Sequence, residues 1–189
     1  HGVGGGEAQR SVSETARRCG EVCTRERDRY TLAALGDSLD EVLADVPRGF
    51  AHGDFWHENL LCDGDRLVGV IDWDGAGPGR LPLLDLIHFQ ASRVQAGGHM
   101  SLGAGVVQGP LVTARAGGDE ITREYCRRIG LEADPRILEA LVLAFLIDRT
   151  ALELELRPDL ITSTWVDENV MLVLRELRHE QRGFRRPAP

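Results

Sequence analysis

Residues 52–61 read HGDFWHENLL, and residues 70–74 read VIDWD. Two short apolar runs, residues 60–62 and 67–71, flank a turn-forming Asp-Gly-Asp at residues 63–65. Apolar runs of this length on either side of an Asp-Gly pair are typical of a β-hairpin. The sequence therefore predicts a hairpin between the two quoted stretches.

Three polar side chains are spaced around this hairpin in a way that suits phosphoryl transfer. Asp54 precedes Asn59 by five positions, and Asp72 follows Asn59 by thirteen. Transfer from ATP to a hydroxyl needs one carboxylate to orient the hydroxyl and accept its proton, and oxygen ligands to hold Mg²⁺. Protein kinases place these groups as His-Arg-Asp-x-x-x-x-Asn followed by Asp-Phe-Gly. The alternative is purely structural: Asp54 and Asn59 cap turns and Asp72 ends a strand.

Helical patterns surround the hairpin on both sides. Residues 7–29 predict a mostly exposed helix, and residues 30–43 an amphipathic helix that Pro47 and Gly49 stop. Residues 75–82 are rich in glycine and proline and predict a loop. Asp85 then suits an N-cap or the first turn of a following helix.

The second half of the chain predicts one irregular segment and three helices. Residues 95–118 contain seven glycines, which indicates a mobile surface loop or an irregular insertion. Helical periodicity follows at residues 119–129, 135–155 and 164–182, and the middle stretch is apolar enough to be the core helix. The predicted fold class is α+β, mostly α-helical, with a small β-hairpin.

Composition excludes several classes of function. The net charge is −8, whereas a general nucleic-acid binder is usually basic. No uncharged apolar stretch reaches the roughly 18 residues of a membrane span. Cys19 and Cys23 are four apart, as in half a zinc site, but no second pair with metal spacing follows, so reduced thiols are expected. All 22 basic residues are arginine, and there is no lysine.

Residues 50–90 resemble the aminoglycoside phosphotransferase and choline kinase family of small-molecule kinases. The quoted stretches and the Leu-Leu-Asp-Leu-Ile sequence at residues 83–87 carry the resemblance, and the flanking helices fit the order of that family's C-terminal lobe. One departure is His57-Glu58, where the family often has Pro-Gly. No protein-kinase-like activation segment follows, which favours a small acceptor over a protein.

The resemblance implies a role for each polar residue of the motif. It implies that Asp54 is the catalytic base and that Asn59 and Asp72 are ligands of Mg²⁺. It implies that His52 and Asp85 support the catalytic loop through hydrogen bonds. Asp74 is a candidate for a second metal or for support of the first.

The resemblance also implies a part that this chain lacks. An N-terminal lobe with a sheet, a nucleotide-covering loop and a phosphate-binding lysine would precede residue 52, and arginine does not replace that lysine like for like. The chain starts with His1, as expected of a C-terminal-lobe piece. In this interpretation residues 1–189 are one lobe, subdivided into leading helices (1–49), catalytic loop and metal hairpin (50–90), glycine-rich loop (95–118) and acceptor-side helices (119–184).

The expected function is transfer of the ATP γ-phosphate to a hydroxyl of a sugar, an aminoglycoside or an amino alcohol, with ATP and Mg²⁺, in the cytoplasm. Two alternatives stay open: a non-catalytic binding or regulatory module, and a metal-dependent phosphohydrolase. No nucleic acid and no membrane is expected as a partner. Acidic or aromatic side chains on the later helices would bind a cationic or sugar-like acceptor. The candidates are Glu153, Asp159 and Trp165, and further acidic residues Asp119, Glu120, Glu155, Asp167 and Glu168.

Overall fold

The computed structural model describes residues 11–98 and 100–176. The predicted helix start at residue 7 and the end of the last predicted helix at residue 182 lie outside these residues. The helices are α1 (Val12–Gly20), α2 (Glu26–Val42), α3 (Leu84–Gly98), α4 (Leu102–Gln108), α5 (Pro110–Arg115), α6 (Glu120–Ile129), α7 (Pro135–Leu156) and α8 (Ser163–Val166). The strands are β1 (Gly49–Ala51), β2 (Leu60–Asp63), β3 (Arg66–Val70) and β4 (Gly77–Arg80).

Helix α7 is the central element of the core, which confirms its prediction from apolar content. Asp134 caps its first turn by accepting from the backbone N–H groups of Arg136 and Ile137, and Pro135 occupies the first helical position, where no N–H is needed. The helix contacts α1, α2, α3, α4 and α5. Its residues 140–147 are all buried. This helix therefore forms the support against which helices α1 to α5 pack.

Residues 12–42 form two helices that pack tightly, and the break between them lies at residues 21–25, so the prediction of one mostly exposed helix over residues 7–29 is wrong. Residues 30–42 are helical as predicted, within α2. Helix α1 buries Ala16 and Cys19, and a Cβ on Gly36 of α2 would lie 2.7 Å from the Ala16 Cβ. Close helix approach through small residues leaves little apolar signal in the sequence. Burial raises the pKa of the Cys19 thiol to about 12, which agrees with a reduced structural thiol.

The predicted hairpin is confirmed, and a second ladder accompanies it. Strands β2 and β3 are antiparallel, with Leu60 opposite Val70 and Asp63 opposite Arg66, and Gly64 supplies the positive φ of the turn. Strands β1 and β4 form a separate antiparallel pair. Residues 75–82 are therefore not wholly a loop. Strand β4 reads Gly-Pro-Gly-Arg, a composition that carries no strand signal.

The glycine-rich segment is helical, so the prediction of a mobile loop over residues 95–118 is wrong. Helices α4 and α5 lie within it and bury Val106 and Leu111 completely. A Cβ on Gly103 would lie 2.4 Å from the Glu168 backbone oxygen, and one on Gly105 would lie 2.7 Å from the Ala91 backbone oxygen. These glycines allow close packing of helices rather than flexibility.

Replacing Gly103 by alanine is expected to lower the free energy of unfolding by about 1–3 kcal/mol, because the new methyl group meets only backbone atoms that cannot give way. Gly97→Ala is the matched control: its Cβ meets nothing within 4 Å, and alanine in α3 is expected to stabilise by up to about 1 kcal/mol. Urea denaturation measures both variants. Equal, near-zero changes would indicate that residues 95–118 are a loose loop after all.

No helix in the described part of the chain is long and apolar enough to cross a membrane. Even α7, with 22 residues, carries charged side chains along its length.

The core of the described chain is built from helices packed on one another, with the two strand pairs alongside.

Candidate functional site

The loop at residues 52–54 is fastened to the start of helix α3 by Asp85. The Asp85 carboxylate accepts hydrogen bonds from the backbone N–H of His52 (2.7 Å) and of Gly53 (2.9 Å). Asp85 lies in the first turn of α3, and a carboxylate there is favoured by the helix dipole. Hydrogen bonds of the kind that the resemblance implies for Asp85 are therefore present.

Gly53 is required by the shape of this loop. Its φ is +86°, and a Cβ at this position would lie 2.5 Å from the backbone oxygen of Gly75. Only glycine takes this conformation without strain and allows such an approach. The loop before Asp54 and the loop after the hairpin are thus held against each other.

The His52 ring connects the loop to the end of the hairpin. This buried ring contacts the Ile71 backbone oxygen through Nε2 (2.9 Å), and its Nδ1 accepts from the Asp54 backbone N–H (3.3 Å). One tautomer, protonated on Nε2, satisfies both contacts. The ring centroid lies 4.5 Å from that of Trp73. His52 therefore makes hydrogen bonds of the supporting kind that the resemblance implies.

Asn59 is turned toward Asp54 by a short 3-10 turn, His57–Asn59. Its Nδ2 donates to the Asp54 backbone oxygen (2.9 Å) and to Asp54 Oδ2 (3.1 Å). Among the described residues nothing donates to Asn59 Oδ1. The amide nitrogen is thus fixed by Asp54, while the amide oxygen, the atom type that Mg²⁺ accepts, remains available.

Asp72 directly follows Ile71, whose backbone N–H donates to the Asn59 backbone oxygen (3.0 Å). Its φ is +62°, a left-handed conformation that is uncommon for a residue other than glycine. Strained backbone of this kind is concentrated at functional sites. The Asp72 side chain is exposed, and Asp74 is exposed in the turn that follows.

The residues present fit a magnesium site of the kind that shares its ion with a phosphorylated substrate. Within residues 11–98 and 100–176 no three His, Cys, Asp or Glu side chains cluster as a metal cage. Magnesium at phosphoryl-transfer sites is usually held by one or two protein groups, with waters and phosphate oxygens completing the octahedron. The Asn59 amide oxygen and the Asp72 carboxylate would supply those protein groups.

Two further side chains lie next to Asp54, and neither was predicted from the sequence. Arg149 of α7 donates from Nη1 to Asp54 Oδ1 (2.7 Å), and His88 Nδ1 lies 3.8 Å from the same oxygen. A signal for Arg149 was present, because Asp148 and Arg149 interrupt the most apolar helix of the chain. His88 follows Asp85 by three, so both lie on one face of α3.

His88 is held in its neutral form. Its ring is buried, and burial, followed by the positive charge of Arg149, lowers the pKa of His88 to about 4. The carboxylates of Asp54 and Asp85 act in the opposite direction, and His52 adds to the lowering. A neutral ring beside Asp54 leaves Arg149 as the cation that pairs with this carboxylate.

Acidification is expected to destabilise the fold through His88. His88 binds a proton near pH 6.5 in the unfolded chain but only near pH 4 in the folded chain. The free energy of unfolding therefore falls by about 3 kcal/mol in total as the pH drops through this window. Denaturant unfolding of the wild type and His88→Gln at pH 7 and pH 4.5 measures the effect. The wild type should lose more stability than the variant, whereas equal losses would contradict burial of a neutral His88.

Arg149 and His88, two side chains next to Asp54, also line a cavity of about 430 Å³. Its lining includes Trp56, His88, Arg149, Glu153, Trp165 and Glu168. The predicted acceptor-binding residues Glu153 and Trp165 are thus brought together, as is Glu168. Asp159, in contrast, lies in the exposed turn Pro158–Leu160 and is not part of the lining.

The acidic residues predicted to bind an acceptor differ in what they contact. The Glu153 carboxylate is already paired with Arg149 Nη2 (3.4 Å) and with Arg157 Nε (2.9 Å). Elsewhere on the molecule, Glu155 pairs with Arg18, Asp167 with Arg175, and Asp119 caps α6. Glu168 is exposed, so its carboxylate is the acidic group of the lining that faces solvent.

A π-helical turn, Asp167–Met171, shapes the same cavity wall. Asn169 in this turn accepts from the Gly103 backbone N–H (3.1 Å) and donates to the Trp165 backbone oxygen (2.9 Å). The turn therefore ties Trp165 and Glu168 to helix α4. Such turns inside helices frequently occur at functional sites.

Comparison with known proteins identifies the family. The model of a family described as the phosphotransferase enzyme family matches residues 6–121, which include the Asp54 loop, the hairpin and helix α3. No curated protein and no solved structure matches the chain. Because the family match extends over more than half of the chain, this protein belongs to the phosphotransferase enzyme family, the kinase-like family of the aminoglycoside phosphotransferases.

Proposed function

We propose that this chain is the catalytic and acceptor-binding lobe of an ATP-dependent small-molecule kinase, which transfers the γ-phosphate to a hydroxyl of a sugar, an aminoglycoside or an amino alcohol. One observation supports this proposal above all. The Asp54 carboxylate is held between Asn59 and Arg149, and Arg149 also lines the 430 Å³ cavity. A fixed carboxylate beside a cavity of small-molecule size is what proton transfer from a bound acceptor requires.

In this proposal each group has one task. Asp54 orients the acceptor hydroxyl and accepts its proton as the hydroxyl oxygen bonds to the γ-phosphorus, while the bond from that phosphorus to the β-phosphate oxygen breaks and ADP leaves. The Asn59 amide oxygen and the Asp72 carboxylate hold Mg²⁺, with Asp74 as an outer neighbour. Bound ATP and its magnesium supply the phosphoryl group and neutralise the charge that develops on it. His52 and Asp85 keep the loop in place through their hydrogen bonds.

We place the acceptor in the cavity lined by Glu153, Trp165 and Glu168. Trp165 offers a flat apolar surface for a ring, and Glu168 offers a carboxylate for a hydroxyl or an ammonium group. Glu153, predicted as a direct contact, is neutralised by two arginines, so in this proposal it organises the wall instead. Asp159 is the weakest of the predicted contacts, because it lies off the cavity.

We infer that a nucleotide-binding lobe covers the strand side of this chain. Six of its exposed large apolar side chains fall within residues 50–73, and Phe50 is 64% and Trp73 52% exposed. The six residues are Phe50, Leu61, Leu67, Val68, Ile71 and Trp73. Exposed apolar side chains in this number indicate a contact surface. In this proposal the covering lobe also provides a lysine for the ATP phosphates, because this chain contains none. The use of ATP makes the cytoplasm the expected compartment.

Acceptor-dependent consumption of ATP tests the proposed function. The full-length protein is incubated with Mg²⁺-ATP and a panel of sugars, aminoglycosides and amino alcohols, and ADP release is measured with and without each acceptor. We expect at least one acceptor to raise ADP release well above its acceptor-free rate. Phosphate release from simple phosphoesters would instead favour the phosphohydrolase alternative, and absence of turnover with every compound would favour the binding module.

A further inference from the structure

Charged side chains at the C-terminal end of helix α7 link Asp54 to the cavity wall. Arg149 and Glu153 are four residues apart on one face of the helix, and Arg157 follows Leu156 as the C-cap residue. Arg149 Nη1 lies 2.7 Å from Asp54 Oδ1, and Arg149 Nη2 lies 3.4 Å from Glu153 Oε1. Arg157 pairs with the other Glu153 oxygen. The carboxylate of Asp54 is thus linked through one guanidinium to the wall of the acceptor cavity.

Burial makes this arrangement more than a surface ion pair. The Arg149 side chain is 19% exposed and that of Glu153 is 12% exposed. Surface pairs contribute little, whereas ion pairs removed from water are held in a defined geometry by their hydrogen bonds. The planar guanidinium reaches two carboxylates at once with different nitrogens, which a single ammonium group at this position cannot do.

The two oxygens of Asp54 are held by donors from two separate segments of the chain. Asn59, five residues away in the same loop, holds Oδ2, while Arg149, on a helix 95 residues later, holds Oδ1. Asn59 alone would leave the carboxylate free to turn about its last bond. Two separate donors determine the plane of the carboxylate, and with it the direction of the lone pairs that face a bound hydroxyl.

We propose that Arg149 is a positioning residue of the transfer reaction: it orients the Asp54 carboxylate toward the acceptor cavity while Glu153 and Arg157 hold the guanidinium in place. This inference rests on the proposed function, because it assigns Arg149 a task in a reaction whose base is Asp54. Residue 149 lies outside the family-matched residues 6–121, so the assignment follows from the contacts of this chain.

Steady-state kinetics of the full-length protein with an accepted substrate test the inference. Arg149→Met keeps the length of the side chain but removes both ion pairs, and kcat is expected to fall on the order of 10- to 100-fold. Arg149→Lys is expected to fall between the wild type and Arg149→Met. Arg115→Met is the matched control. It removes a partly buried arginine of α5 that pairs with Glu139 of α7, the helix that also carries Arg149. It should change kcat by less than about twofold, as distant sites act independently.

A double-mutant comparison separates positioning from a merely structural role. Asp54→Ala removes the carboxylate that Arg149 orients, so Arg149→Met should lower the residual transfer rate of Asp54→Ala by less than about threefold. Single-turnover measurements at high protein concentration give these rates, and the intermediate value of Arg149→Lys supports the inference independently.

The inference is overturned if Arg149→Met retains kcat within about threefold of the wild type or raises kcat. It is also overturned if the kcat of Arg149→Lys is as low as that of Arg149→Met. A third contradicting result is that Arg149→Met lowers the transfer rate as much in the Asp54→Ala background as in the wild type. These outcomes require a wild type that phosphorylates an acceptor, and so they differ from failure of the proposed function. A wild type that transfers no phosphate to any acceptor overturns the proposed function, and with it the role of Arg149.

Discussion

Asp54→Asn is expected to lower kcat for phosphoryl transfer by roughly 10²- to 10⁴-fold, the range that a general base contributes. The amide retains the size of the carboxylate and can still accept from Arg149, but it cannot take the proton of the acceptor hydroxyl. Because Asp54 lies in a loop that Asp85, Gly53 and Asn59 hold in place, the loop itself should keep its shape. Initial rates with saturating ATP and acceptor measure the loss.

Asp63→Asn is the matched control for this prediction. Asp63 ends strand β2 at the exposed turn of the hairpin, so the same change of charge there should alter kcat by less than about twofold. Circular dichroism and thermal unfolding of both variants check that the fold is retained. A kcat of Asp54→Asn within about tenfold of the wild type would rule out Asp54 as the base.

Asp72→Gly is expected to raise the Mg²⁺ concentration needed for half-maximal velocity by about tenfold or more, because it removes the only carboxylate among the two proposed metal ligands. Glycine is chosen because the φ of Asp72 is +62°, a conformation that glycine adopts without strain. The variant should therefore be at least as stable as the wild type. A loss of magnesium response then cannot result from unfolding.

Titration of activity with Mg²⁺ at fixed ATP makes the measurement, and Asp65→Gly in the hairpin turn is the control. Asp74→Gly, measured in the same series, should have a smaller effect than Asp72→Gly, since Asp74 lies two residues further on in an exposed turn. An unchanged magnesium midpoint in Asp72→Gly, or a larger shift in Asp74→Gly, would contradict the assignment of Asp72 as a ligand.

The parts of the site that are local in sequence could be predicted from sequence. The spacing of Asp54 and Asn59 and the apolar runs around Gly64 depend on short-range geometry, and the hairpin was confirmed. The hydrogen bonds of Asp85 to residues 52 and 53 were implied by the family resemblance and are present. Their roles in catalysis remain predictions.

The contacts that come from distant segments could not be predicted in the same way. Arg149 reaches Asp54 only because α7 passes beside the Asp54 loop, and the spacing of residues 54 and 149 in the sequence does not predict this contact. From the sequence alone, Glu153 was interpreted as a carboxylate that is available to a ligand. In the structure this carboxylate is already paired with two arginines. Tertiary contacts decide which charges are free to meet a ligand.

Glycine was the residue most easily misinterpreted. In residues 95–118 it suggested a loop, yet Gly103 and Gly105 are helical residues at close backbone contacts. A glycine can indicate flexibility or close approach, and the sequence of one chain does not distinguish these uses. Strand β4 was missed for a related reason, because Gly77 and Gly79 carry no strand propensity.

The destination of the γ-phosphate of labelled ATP tests most directly whether this protein is a small-molecule kinase. The full-length protein is incubated with γ-labelled ATP, Mg²⁺ and the best acceptor of the panel, and the label is separated into nucleotide, organic phosphate ester and inorganic phosphate. We predict that the label appears on the acceptor and that Asp54→Asn slows this transfer by roughly 10²- to 10⁴-fold. Label recovered as inorganic phosphate at the same rate with and without acceptor, or label retained entirely in ATP, would contradict the proposed function.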